Sequence, residues 1–181
     1  MVGHPYSFLN RPTSPEKEAG IYYPCELDIA LQAKINADAR CIFHAMTMPE
    51  YVEVWMSLPF ADGRNCTKAI KVANSYRIDF YRLGELDTSV TGLFKICQTD
   101  KIVLTWRKFG VLEEAQSIVN VLIQEASGRS VVTLRHVGLP SLGESRWHTR
   151  MWSNSLRKLA RLLDCSAMVD DAVSADSGLA Q

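Results

Sequence analysis

The stretch from Gly143 to Leu163 constrains the fold of this chain more than any other. Trp147, Met151, Trp152, Leu159, Leu162 and Leu163 fall on one broad helical face, with Leu156 at its edge. Arg146, Arg150, Arg157 and Arg161 fall on the opposite side. Such a helix gains most of its stability by laying its apolar face on a partner element. The arginine stripe reads as a solvated face, with contact to an acidic partner as the alternative.

The preceding chain supplies what that face meets. In CELDIALQAKI, Leu27, Ile29, Leu31, Ala33 and Ile35 share one parity, and Glu26, Asp28, Gln32 and Lys34 the other. A period of two is the mark of a half-buried strand. The same alternation sets Tyr76, Ile78 and Phe80 on one face of SYRIDFYRL, and Val90, Phe94 and Ile96 on one face of LDTSVTGLFKI. Gly92 shares the latter parity, and a glycine there signals a bend or a close approach. KIVLTWRKF alternates Ile102, Leu104 and Trp106 against Lys101, Thr105 and Arg107. SIVNVLIQE and RSVVTLRHVGL form a hairpin through Ala126-Ser127-Gly128, with Val119, Val121, Ile123, Val132, Leu134 and His136 inward. With a further strand at TKAIKVA, the sheet has about seven strands.

Two short helices are expected after the first strand. Asn36 serves as N-cap for ADARCIFHAMT, turning Ile42, Phe43 and Met46 inward. Pro49 suits the first turn of the second, where Tyr51, Val52, Val54, Trp55 and Met56 supply apolar surface. The order is strand, two helices, a run of strands and one long helix. That order predicts an α+β domain with an antiparallel sheet rather than alternating α/β.

The domain is expected over residues 25–166. Residues 1–24, with four prolines, read as an N-terminal arm that would let the chain form a homodimer, and 167–181 as a frayed tail. Apolar residues make up 47% and charged residues 22% of the 181, which suffices for a real core. Twenty basic residues balance twenty acidic ones, so no nucleic-acid partner is expected. No apolar run is long enough for a membrane span, and the opening residues lack the pattern of a secretory signal. The five cysteines are scattered without any CxxC, which points to reduced thiols and a cytoplasmic setting rather than disulfides or zinc.

Four stretches carry a family resemblance. NADARCIFHAMTMPEYVEVW places a helix before Thr-x-Pro-Glu and a tryptophan. KIVLTW is a strand ending in Thr-Trp. SGRSVVTLRHVGLP is a hairpin with a His-x-Gly-Leu-Pro exit, and RWHTRMWSNSLRKLARLL sets a histidine before a tryptophan and spaced leucines. In this order they resemble the START-like, or SRPBCC, superfamily. The branch is similar to the C-terminal domain of the activator of the heat-shock-protein ATPase. The resemblance implies a helix-grip fold with a cavity between sheet and helix. Three positions depart from it: RLGELDTSVTG replaces a Gly-Gly-x-Trp strand, Met151 replaces a glycine, and Gly128-Arg129-Ser130 stands for Gly-Gly-Thr. Pocket walls are where such families diverge, so the resemblance assigns no ligand.

The expected function is binding or carriage of a small apolar or amphipathic molecule. Trp55, Phe80, Phe94, Trp106 and Trp152 are the candidate apolar walls. His136, His148 and Ser155, polar residues at inward positions, are the candidate polar points. Each histidine has a plainer role available, a hydrogen bond inside a filled core. An enzyme of cyclase, dehydratase or hydrolase type using the same pocket is the alternative. Glu144, four residues before His148, would orient it as a base, although a first-turn acid also suits the helix dipole. No HExxH, GxSxG, P-loop or dinucleotide fingerprint occurs, so no metal, cofactor or nucleophile is assigned. A co-chaperone-like interaction module is the third reading.

Overall fold

A computed structural model describes residues 27–58, 65–109 and 116–176, with side chains described through Asp164. The expected N-terminal arm at 1–24 and the end of the expected tail, 177–181, lie outside the described residues. Strand β1 (Ile29–Ile35) is followed by helices α1 (Ala39–Thr47) and α2 (Pro49–Trp55). Strands β2 (Asn65–Val72), β3 (Ser75–Arg82), β4 (Glu85–Gln98), β5 (Lys101–Lys108), β6 (Ser117–Ala126) and β7 (Arg129–Val137) come next, and helix α3 (Leu142–Asp176) closes the chain. The seven strands form one antiparallel sheet in the order β1-β7-β6-β5-β4-β3-β2. The first and second strands are therefore opposite edges, and α1 and α2 carry the chain between them.

Alternation sets the register. Tyr76, Ile78 and Phe80 on β3, Val119, Val121 and Ile123 on β6, and Val132, Leu134 and His136 on β7 are all buried. The β6–β7 hairpin turns through Ser127 and Gly128, with φ of 54° and 72°. Two residues of positive φ match the right-handed twist of the flanking strands. Slips in register at Phe80/Tyr81 and Phe94/Ile96 bend the sheet.

Gly92 marks a close approach. It lies opposite Tyr76, and a Cβ there would run into the Thr105 carbonyl oxygen and stand 2.7 Å from the Tyr76 ring. The missing side chain lets the Tyr76 hydroxyl cross the strand and donate to the Thr105 carbonyl at 2.7 Å. Thr105 shares the outward parity of Ile118, its partner on β6, yet is buried, and its hydroxyl oxygen accepts from the Leu93 amide at 2.9 Å.

Asp38, not Asn36, caps α1: its carboxylate accepts from the Cys41 amide at 2.6 Å. Asn36 instead accepts from Arg129 at 3.2 Å, tying the helix entry to the β6–β7 turn. Pro49 opens α2 as expected. Val52, Trp55 and Met56 are buried there, but Tyr51 and Val54 are exposed. That helix makes too few turns to bury more than one face. It covers the edge of β2, where the Glu53 carboxylate accepts the Ala69 amide at 2.9 Å and leaves that donor unavailable to another strand.

Helix α3 buries Met151, Trp152, Leu156, Leu159 and Leu163, each worth roughly 1.5–3 kcal/mol against exposure. Leu156 is central to this face rather than at its edge, and Trp147 and Leu162 are only half-buried. Helical backbone runs to Asp176, past the expected end near Leu163, with no Gly or Pro between Gly143 and Gly178 to stop it. Arg146, Arg150, Arg157 and Arg161 are exposed.

Candidate functional site

The sheet, α2 and α3 do not pack solid. Between them lies a cavity lined by Val52, Trp55 and Met56 from the α2 region, Ile78, Phe94, Leu104 and Trp106 from the strands, and Trp152 from α3. Its volume is about 50 Å³ when measured for the centre of a water-sized sphere, and about 550 Å³ as empty space including the mouth. The smaller figure bounds an occupant with every side chain fixed and already exceeds the space of one water. Phe94 and Leu104 point inward yet are only half-buried, because the space they face is open. Pro49, Ile70, Lys71 and Arg77 line the cavity where it reaches the surface and mark its mouth.

The walls are almost wholly apolar, since their polar atoms are engaged elsewhere. The Trp55 indole donates to the Ala45 carbonyl at 2.7 Å and the Thr47 hydroxyl to the Phe43 carbonyl at 2.8 Å. Burial raises the Tyr76 hydroxyl well above its ordinary pKa and keeps it a neutral donor.

Behind the Trp106 and Trp152 rings the interior is different. The Trp152 indole donates to His136 Nδ1 at 3.2 Å. His136 must then carry its proton on Nε2, which stands 2.7 Å from the Ser117 hydroxyl oxygen. That hydroxyl donates in turn to the Trp106 carbonyl at 3.0 Å. The Trp106 indole donates to His148 Nε2 at 3.0 Å, so His148 is protonated on Nδ1 and donates to the Glu144 carbonyl at 2.8 Å. The two histidines are held as opposite tautomers, their rings perpendicular and 4.8 Å apart.

Both are neutral. Burial, with the nearby His148 adding to it, pushes His136 down to about 2. Burial pushes His148 down to about 4; the Glu144 carbonyl and carboxylate oppose the shift, and Lys108 adds to it. The Glu144 carboxylate stands 3.4 Å from His148 Nδ1 but is bound by Lys108 at 3.1 and 3.2 Å. A hollow of about 10 Å³ beside His148, Lys108 and Glu144 holds no more than one water.

The expected walls Trp55, Phe94, Trp106 and Trp152 come together at the cavity. Phe80, fully buried, packs in the core away from it. His136 and His148 lie behind the tryptophan wall, not in it. Ser155 does not face the cavity either: its hydroxyl oxygen accepts the Ser57 amide at 3.2 Å and clamps the end of α2 to α3. Inward polarity on α3 and β7 is therefore spent on core bonding. Lys71 and Tyr76 were missed as lining residues. The parity of TKAIKVA, with Thr67, Ala69 and Lys71 on one side, is the signal that could have found Lys71. Among the described residues no cluster of three or more His, Cys, Asp or Glu could hold a metal ion, and no helix is long and apolar enough to cross a membrane.

A curved seven-stranded antiparallel sheet gripping a C-terminal helix, with two short helices after the first strand, is the helix-grip architecture of START-like, or SRPBCC, proteins. The profile of the family described as Activator of Hsp90 ATPase homolog 1-like protein matches residues 36–164, more than half of the sequence. The chain belongs to that family. Similar solved structures include a protein from Chromobacterium violaceum, 17% identical with TM-score 0.65 over 77% of this chain and 98% of that one. An AHSA1 protein from Silicibacter pomeroyi is 19% identical with TM-score 0.65, over 77% and 99%. CalU16 from Micromonospora echinospora is 16% identical with TM-score 0.53, over 75% and 73%. At these identities the likeness shows the fold alone. No protein of curated function matches the sequence.

Proposed function

We propose that this domain binds a small apolar or amphipathic molecule in the cavity between the sheet, α2 and α3, as a binder or carrier. The observation that carries the reading is an open space between sheet and helices walled by Trp55, Phe94, Leu104 and Trp152. Apolar walls with few polar points are the usual composition of small-molecule sites. The histidines that would serve an enzyme as acid or base, His136 and His148, have both ring nitrogens bonded to protein. The carrier reading needs nothing from either.

Native mass spectrometry of the full chain with a library of lipids and aromatic metabolites tests it. A one-to-one complex is expected, accompanied by a change in emission from the tryptophans that line the cavity. Absence of any complex at high micromolar ligand, with emission unchanged throughout, would defeat the proposal.

A further inference from the structure

Lys71 is the one lysine among the described residues that turns its stem into the cavity mouth. It stands on β2, opposite Tyr76, so its side chain leaves the same concave face as Thr67 and Ala69. Its ammonium lies 4.9 Å from the centre of the Phe94 ring. Other cations nearby are committed. Lys68 on the same strand pairs with Glu53 at 3.6 Å. Arg77 is held by both oxygens of Asp79, at 2.8 and 3.0 Å. No carboxylate of the described residues lies within ion-pair distance of Lys71. A ring face is a weak partner for an ammonium beside the charge-assisted bond a carboxylate offers.

The other side-chain donors of the wall are not free to meet an acidic head. Thr47, Trp55, Tyr76, Trp106 and Trp152 each donate to an acceptor within the protein. The ammonium of Lys71, on the concave face, is therefore the donor of the wall best placed to orient an amphipathic occupant with an acidic head. It is half-buried at the rim, where an ion pair keeps some water and avoids most of the desolvation cost of a deep pair.

We propose that the occupant is a monoanion: a carboxylate-bearing amphiphile whose acid group pairs with Lys71 while its apolar body passes Phe94 toward Trp55 and Trp152. This rests on the cavity reading above and adds the charge and the direction of entry. A structural role competes with it, because an inward lysine on an edge strand also discourages pairing with another chain.

Calorimetric titration of the full chain with decanoate, decanol and decylamine separates the two, since the three share a tail and differ in the head. Decanoate is expected to bind about five- to ten-fold tighter than decanol, with decylamine weakest. Lys71→Met keeps the stem and should bring decanoate to the level at which the same variant binds decanol. Lys71→Arg should retain the preference, and so should Lys68→Met, which removes a charge from the other face of the strand. Equal binding of decanoate and decanol to the unaltered chain overturns the proposal and leaves the cavity reading standing. So does a preference that survives Lys71→Met. If none of the three binds, this proposal falls, and the library experiment above decides the cavity reading separately.

Discussion

Trp106 looks onto two different interiors. One side of its ring belongs to the cavity wall, and its indole nitrogen reaches back to His148. Behind it, two tryptophans, two histidines and a serine leave no indole or imidazole nitrogen unbonded, and the rings meet at 4.8 to 6.3 Å. In front of it, side chains of equal hydrophobicity leave space. Buried polar groups fix geometry because each loses free energy if its partner moves. Apolar walls carry no such penalty, so they can part for a guest. The contrast sets the hydrogen-bonded half of the interior, which holds the fold, against the apolar half where we propose that a guest binds.

If that division is right, His136→Ala should be the most damaging change. It strands the Trp152 indole, takes the donor away from the Ser117 hydroxyl oxygen and opens a cavity among large rings. A loss of about 3–5 kcal/mol is expected from denaturant midpoints, with ligand affinity of the remaining folded fraction little altered. Trp152→Phe removes the donor, so the double variant should cost less than the sum of the singles. Additive losses would break the comparison.

Acid should act on the rigid half as well. His136 and His148 are held neutral in the folded chain, at about 2 and about 4, below their ordinary 6.5. The unfolded chain therefore binds more protons once the pH drops below 6.5. The stability these residues contribute is complete above that value and declines on acidification, with the share of His148 levelling near pH 4. Between pH 7 and pH 5 a loss on the order of 2–4 kcal/mol is expected from urea titrations. A curve that stays flat across that window would mean the pair is not neutral in the fold.

Much of this was legible in the sequence, and unevenly so. Periodicity marks about seven alternating segments and one apolar helical face, hence an α+β domain, and the family resemblance implies the helix grip. The cap shift from Asn36 to Asp38 was not, because both residue types cap well and only the contact to Arg129 decides. His136 and His148 were correctly read as inward, but parity cannot tell a residue facing a void from one facing an indole nitrogen. Ser155 failed for the same reason, since its partner is a backbone group 98 residues away. Lys71 went unnoticed because a lysine in a marginal strand reads as solvated until the opposite residue is known to be Tyr76.

The smallest expected effect on stability sharpens the comparison most. Leu104 lines the cavity from the middle of β5, packed against the core yet only half-buried. Leu104→Phe adds volume where volume is missing. In a filled core such a change costs about 1–3 kcal/mol. Here it should shift stability by less than about 1 kcal/mol in either direction, because the larger ring gains contacts it would otherwise displace. The same substitution should weaken an apolar guest about ten-fold or more by calorimetry, since it occupies the guest's space. Stability and affinity would then move independently at Leu104, whereas at His136 stability alone moves. If Leu104→Phe instead destabilised the fold as severely as His136→Ala, the space in front of Trp106 would be as tightly specified as the network behind it, with no room left for a guest.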